Sequence, residues 1–164
     1  MATNPPKGTI IRPATPADLP ELGRLGAMLV AEHHAFDPQR FLAPSRRTAA
    51  SYASFLGTQL DEPNVLVLVA EDGGTTIGYV YGGVEDYDYM SLRGPAGIVY
   101  DIIVDPQHRG RGVGRTLLDA LLERFKERGM TQVVLSTAEG NAAGQRLFEK
   151  AGFRRTMIEM TREL

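Results

Sequence analysis

The sequence of 164 residues contains no cysteine and no tryptophan. Without a thiol there is no disulfide framework, no zinc–thiolate site and no covalent mechanism through sulfur. Long apolar runs are missing as well. No stretch approaches the ~18 residues of a membrane-spanning helix, and Met1-Ala2-Thr3-Asn4-Pro5-Pro6 lacks the apolar run of a signal peptide. The expected location is the cytoplasm, with no membrane partner and with residues 1–8 as a flexible tail. Charge of one sign is not in excess: 18 Lys and Arg stand against 20 Asp and Glu, a net charge of −2. A chain so balanced has no overall field to attract nucleic acid, and none is expected as a partner. What remains, 43% hydrophobic and 23% charged residues without repeats, is the composition of one globular domain, expected to span residues 1–164.

Periodicity supplies the element order. Thr9 to Arg12 reads as a short strand ended by Pro13, and Thr15-Pro16-Ala17-Asp18 opens a helix that continues through Leu19, Leu22, Leu25, Met28 and Leu29. Glu32 to Ser45, with His33, His34, Pro38 and Pro44, is predicted to be irregular, and a second helix is predicted from about Arg46 to Leu60. Val65 to Ala70 and Ile77 to Gly82 form a hairpin across Asp72-Gly73-Gly74. After an acidic loop from Glu85 to Tyr89 and a turn at Arg93-Gly94-Pro95, a strand covers Gly97 to Val104. A helix from Gly112 to Arg128, a strand from Thr131 to Leu135, a helix from Asn141 to Lys150 and a last strand from Arg155 to Thr161 follow. This order implies an α+β fold with α/β character: a mixed, mostly antiparallel sheet flanked by helices, with a central parallel strand pair.

Chemistry concentrates in Asp105-Pro106-Gln107-His108-Arg109-Gly110-Arg111-Gly112-Val113-Gly114-Arg115. Glycines at alternate positions between a strand and a helix bring backbone amides close to a ligand. The first-turn N–H groups lack helical partners, the helix dipole adds roughly half a positive charge, and Arg109, Arg111 and Arg115 stand nearby. A pyrophosphate suits such a place; a glycine-rich turn with solvated arginines is the alternative. A dinucleotide fingerprint needs G-x-G-x-x-G, and a phosphate-binding NTPase loop needs Gly-Lys-Ser/Thr, neither of which is here.

The segment from Asp101 through Leu118 resembles the signature of the GNAT superfamily of N-acetyltransferases, Arg/Gln-x-x-Gly-x-Gly/Ala, with Arg109, Gly112 and Gly114 at the matching positions. Asn141-Ala-Ala-Gly-Gln-Arg-Leu-Phe-Glu-Lys-Ala-Gly-Phe153 is similar to that family's second motif, in the right order and at about the expected distance. The resemblance implies direct transfer of an acetyl group from acetyl-CoA, with no metal, to an amine of a small molecule or peptide, and a homodimer is a common state in the family. It implies a parallel pair splayed at the acyl-CoA site, main-chain contacts to the pantetheine arm at Ile102, Ile103 and Val104, and pyrophosphate contacts across Arg109, Gly110, Arg111, Gly112, Val113, Gly114 and Arg115. It places Asn141 beside the arm, where helix capping is a simultaneous reading, with Phe148 alongside.

One departure stands out. Many members carry a tyrosine in the second-motif helix as the acid for the thiolate leaving group, and here that position is Phe148, which donates no proton. Tyr100 or Ser136 is a candidate substitute. Asp101, the second of two positions that are acidic in polyamine-acetylating relatives, is a candidate base acting through water, or else a carboxylate that holds a neighbouring loop. Tyr100 is expected to line the acceptor cleft. The loop from Glu85 to Tyr89 either attracts a cationic amine or is a solvated hairpin tip, and His33 and His34 without a third ligand are a weak metal signal beside a reading as helix-end residues. Two functions of different class stay open: an N-acetyltransferase, and an acyl-CoA-binding module without turnover.

Overall fold

In the computed structural model, which describes residues 6–164, strands β1 (Thr9–Pro13), β2 (Val65–Asp72), β3 (Thr75–Glu85), β4 (Ala96–Val104) and β5 (Val133–Leu135) form one sheet in that order. The first three pairings are antiparallel and the β4–β5 pairing is parallel. Helices α1 (Leu19–Phe36) and α2 (Thr48–Gln59) cover one face, and α3 (Val113–Glu127) covers the other. The expected mixed α+β architecture is the one observed. β2 reads as a continuous apolar run because both of its faces are covered: Val67 and Val69 meet Leu22, Leu25 and Leu56, while Leu68 and Ala70 meet Leu117, Leu118 and Leu121.

Two close approaches set the spacing of these layers. On α1, a Cβ at Gly23 would lie 2.4 Å from the carbonyl oxygen of Ala49, and one at Gly26 would lie 2.1 Å from the ring of Tyr52. Both glycines therefore let α2 approach α1 at backbone distance. On the opposite face, Gly97 of β4 sits beneath the Phe125 ring, 2.5 Å from where its Cβ would be.

The structure alters several sequence expectations. α1 continues through Glu32, His33 and His34 to Phe36, so the irregular stretch begins at Asp37, whose N–H caps the helix on the His33 carbonyl. Thr15-Pro16-Ala17-Asp18 forms a short 3₁₀ turn in front of α1, closed by a reciprocal capping box between Thr15 and Asp18. The expected tail at residues 1–8 lies outside the described residues up to residue 5; beyond it, Thr9 N–H bonds to the Pro6 carbonyl in a turn.

The predicted last strand, Arg155 to Thr161, is irregular and exposed. β5 has only three residues, and the segment is tied elsewhere: the Arg155 guanidinium donates to Gln145 and Glu149, and Glu159 pairs with Arg40. With those tethers its backbone does not align along β5.

The α1–α2 contact leads to a stability prediction. Gly23→Ala forces the Ala49 backbone away and should lower the unfolding free energy by about 1–3 kcal/mol in urea denaturation. An unchanged midpoint would contradict the close approach.

Candidate acyl-donor site

The parallel ladder between β4 and β5 runs from Gly97 opposite Val133 to Val99 opposite Leu135 and then stops. β4 continues through Val104, while the chain leaves β5 at Ser136. The two strands thus separate like a wedge, opening a cleft of about 690 Å³. Its walls are Val99 to Val104 of β4, the glycine-rich loop, Ser136 and Thr137 past β5, Asn141 and Phe148 of α4 (Ala142–Lys150), and Leu29, His33 and residues 40–42 at the mouth. Ile103 is buried against the α1–α2 layer, whereas Ile102 and Val104 pack on the α3 layer. Their side chains are engaged in the core, so what these three residues offer the cleft is mainly backbone.

The loop from Asp105 into α3 is fixed at its start. Asp105 N–H bonds to the Ile77 carbonyl at 2.8 Å, and its carboxylate accepts from Gln107 N–H and pairs with Arg24 at 2.8 Å. Those contacts hold the Asp105 carboxyl below the usual range, the Gln107 N–H contributing most. Gly110 and Gly112 then adopt φ of +76° and +87°, a left-handed backbone that side chains disfavour, and Gly112 is the residue from which α3 departs. Gly114, inside α3, meets Leu147 and Val104 at ordinary contact distance. The unpaired first-turn N–H groups of α3 are presented at the cleft wall.

The three arginines are already engaged. Arg109 Nε donates to the Val104 carbonyl at 2.8 Å and its Nη2 pairs with Glu32. Arg115 bridges two helices, bonding Asp119 at 2.8 Å and the Lys150 carbonyl at 2.9 Å. Arg111 is exposed, and its guanidinium lies 3.5 Å from Asp72 at the β2–β3 turn. The Arg111 guanidinium is thus turned toward that carboxylate, while its backbone N–H lies in the loop between Gly110 and Gly112. Anion attraction here comes mainly from amides and the helix dipole.

Asn141 caps α4, its Oδ1 accepting from Gly144 N–H at 2.9 Å while its Nδ2 donates to Thr137 Oγ1 at 3.3 Å. Capping is present, and the side chain also borders the cleft. Phe148 is buried with its ring edge-on to Phe153 at 6.1 Å, and it lines the cleft with no hydroxyl to offer.

Asp101 lies within the same strand, β4, three residues before its end at Val104. The register shifts in the β3–β4 pairing, where Tyr81 faces Asp101 but Gly82 faces Val99, and the unmatched Tyr100 forms a β-bulge. Tyr100 and Asp101 thereby both point to the α2 side: Tyr100 stacks on Tyr81, and Asp101 accepts hydroxyl hydrogen bonds from Tyr52 and, at 3.3 Å, from Tyr79. Burial raises the Asp101 pKa above the ordinary carboxylate range, and the Tyr52 and Tyr79 hydroxyls and the charge of His33 offset part of that rise. Burial, followed by Glu85, pushes the Tyr100 phenol well above its usual value, and its hydroxyl is committed to Glu85 at 2.6 Å. A group so placed does not titrate near neutrality.

Sequence reasoning missed Tyr52 and Tyr79, and it singled out Glu85 as part of the acidic loop but not as the partner of Tyr100. Tyr52 is 49 positions from Asp101, and only the packing permitted by Gly26 brings it there. The acidic loop is largely self-contained, with Asp88 accepting from Ser91 and from the backbone of Met90, and with Tyr87 stacked on Tyr89. His33 and His34 bond to the Leu29 and Phe41 carbonyls, and among the described residues no cluster of His, Cys, Asp and Glu is arranged to hold a metal.

A splayed sheet with an amide cradle beneath it defines an acyl-CoA-binding type of fold. A model of the acetyltransferase (GNAT) family matches residues 28–153, and the chain belongs to that family. It is 40% identical over 96 residues to the mycothiol acetyltransferase of Thermobispora bispora, a match covering 56% of this chain and 31% of that protein. The same enzyme from Propionibacterium freudenreichii is 35% identical over 92 residues, covering 56% and 28%. The chain thus spans about a third of the length of these relatives. A predicted acetyltransferase from Clostridium acetobutylicum, solved with acetyl-CoA, superposes with a TM-score of 0.72 at 19% identity over 93% of this chain and 96% of that one. An aminoglycoside acetyltransferase from an uncultured soil sample, solved with sisomicin, gives 0.66 at 20% identity over 96% and 97%.

The cradle has a direct test. Gly112→Asp sets a carboxylate and a disfavoured φ at the start of α3, and should weaken acetyl-CoA binding at least tenfold in calorimetric titration. A melting curve measured alongside separates lost binding from lost fold.

Proposed function

We propose that this chain transfers an acetyl group from acetyl-CoA directly to a small-molecule primary amine. The observation that carries the reading is the early end of the β4–β5 ladder, which exposes the β4 backbone beside the amide-lined start of α3. Ile102, Ile103 and Val104 fit main-chain pairing with the pantetheine arm, and the amides from Arg109 to Arg115 fit the pyrophosphate. Membership of the acetyltransferase family supports the donor, and relatives named for mycothiol and aminoglycosides support a small-molecule acceptor.

The residues divide the work as follows. Asp101, buried and held by two phenols, takes the proton from the acceptor ammonium directly or through a water. The attacking nitrogen forms its bond to the thioester carbonyl carbon as the carbon–sulfur bond breaks. A β4 backbone N–H beyond Val99, where the ladder to β5 has ended, would polarise the carbonyl oxygen. Phe148 donates no proton to the sulfur, and Tyr100 is bound to Glu85, so the Ser136 hydroxyl at the cleft or solvent serves the thiolate. Phe148 also favours a second reading, an acyl-CoA-binding module without turnover. Thiol release from acetyl-CoA across an amine panel decides between them, because a binding module releases none.

Asp101→Asn should lower kcat by about 10²–10⁴-fold while leaving acetyl-CoA affinity near that of the parent. The base works deprotonated, so kcat/KM should fall as pH drops through the Asp101 pKa, which is raised above the usual carboxylate range. Tyr52→Phe removes a hydrogen bond that favours the charged carboxylate, so the acid limb of the pH profile should move to higher pH. A limb that stays in place would show that Asp101 is not the titrating group.

A further inference from the structure

The sheet face that bears Asp101 also carries an aromatic wall that acyl-donor binding does not use. The rings of Tyr81 and Tyr100 stand 4.8 Å apart, and Phe55 of α2 lies edge-on to Tyr81 at 5.9 Å and to Tyr52 at 6.4 Å. Tyr52 in turn donates to Asp101. Phe55 is 47% exposed and Tyr100 39%, so a half-open aromatic surface leads from solvent to the buried carboxylate.

The charges around this wall are mostly spent. Glu85 accepts from Tyr100 and pairs with Arg93, and Asp88 is occupied within its own loop. Tyr81 donates to Gln59, which is neutral. Asp101, by contrast, is partnered by phenol hydroxyls and by no cation within ion-pair distance among the described residues. The wall therefore offers at its inner end one carboxylate that makes no ion pair, and rings along its length.

We propose that this wall is the acceptor site and that it takes a primary monoamine carried on an aromatic or similarly flat ring. The inference rests on the acetyl-transfer reading above. The ammonium group would point to Asp101 and the ring would lie against Phe55 and Tyr100. Loss of one ammonium proton to Asp101 frees the nitrogen lone pair; a nitrogen–carbon bond forms, the carbon–sulfur bond breaks, the nitrogen sheds its second proton to solvent to become a neutral amide, and the sulfur leaves with its electron pair to be protonated from solvent. A polycation fits less well along the wall itself, since Asp101 is the carboxylate at its inner end and the rings of Phe55, Tyr81 and Tyr100 offer no second one for a further ammonium group.

The test is steady-state thiol release from acetyl-CoA with 2-phenylethylamine and tyramine against spermidine and kanamycin. The arylalkylamines should give kcat/KM at least tenfold above the polycations. Phe55→Ala and Tyr100→Ala should each raise the amine KM about three- to tenfold, the factor expected for one aromatic contact, with the KM for acetyl-CoA unchanged. Tyr87→Ala, an exposed ring outside the wall, should alter neither constant. Equal or better use of polycations, or an amine KM indifferent to Phe55→Ala, would overturn the assignment while leaving acetyl transfer standing. Binding of acetyl-CoA with no release to any amine would remove both.

Discussion

The early end of a parallel strand pair is the constraint on which the site depends. Had β5 followed β4 along its whole length, the backbone from Tyr100 to Val104 would be consumed in ladder hydrogen bonds and no cleft would exist. Because β5 stops at Leu135, that edge has no strand partner beyond Val99, and α3 begins beside it. The wedge is kept open by packing: Val104 and Val113 join the α3 layer, Gly114 admits Leu147, and Arg115 ties α3 to the carboxyl end of α4. The last of these contacts fixes the far wall of the cleft relative to the near one.

Electrostatics in the cleft follow from where its formal charges are spent. Arg109 is held by the Val104 carbonyl and Glu32, Arg115 by Asp119, and Arg111 by Asp72. An anion at the start of α3 is thus met by fixed N–H dipoles, which need no reorganisation, with the guanidiniums as a surrounding scaffold. The opposite logic governs Asp101. It is a buried carboxylate whose partners are neutral hydroxyls, so burial dominates and raises its pKa, the direction a proton acceptor requires.

That arrangement is built from a chain of small geometric causes. Gly26 leaves room for the Tyr52 ring, α2 can then lie close to α1, and the Tyr52 hydroxyl reaches β4. The bulge at Tyr100 turns two successive side chains to one face, so the carboxylate and the aromatic wall are neighbours, where a regular strand would place them on opposite sides. The same bulge directs the Tyr100 hydroxyl to Glu85.

Local patterns were legible in the amino-acid sequence. The alternation and runs of apolar residues specify β2, β3, β4 and α3 to within a few residues, and the spacing of Arg109, Gly112, Gly114 and Asn141 marks the family without any coordinates. Less was legible where local signals were weak or where neighbours intervene: α1 runs on through two histidines because its end is capped by Asp37, and Arg155 to Thr161 stays irregular because side-chain tethers hold it away from β5. The identities of Arg111 as a surface residue and of Tyr52, Tyr79 and Glu85 as partners of the site are long-range facts, set by register, by a bulge and by helix–helix distance. By itself the sequence determined the order of elements and the phosphate-type loop, because backbone propensity and glycine placement act over a few residues. Which side chains surround Asp101, and how strongly it holds its proton, was decided only by the tertiary structure, because burial and hydroxyl partners come from segments far apart in the chain.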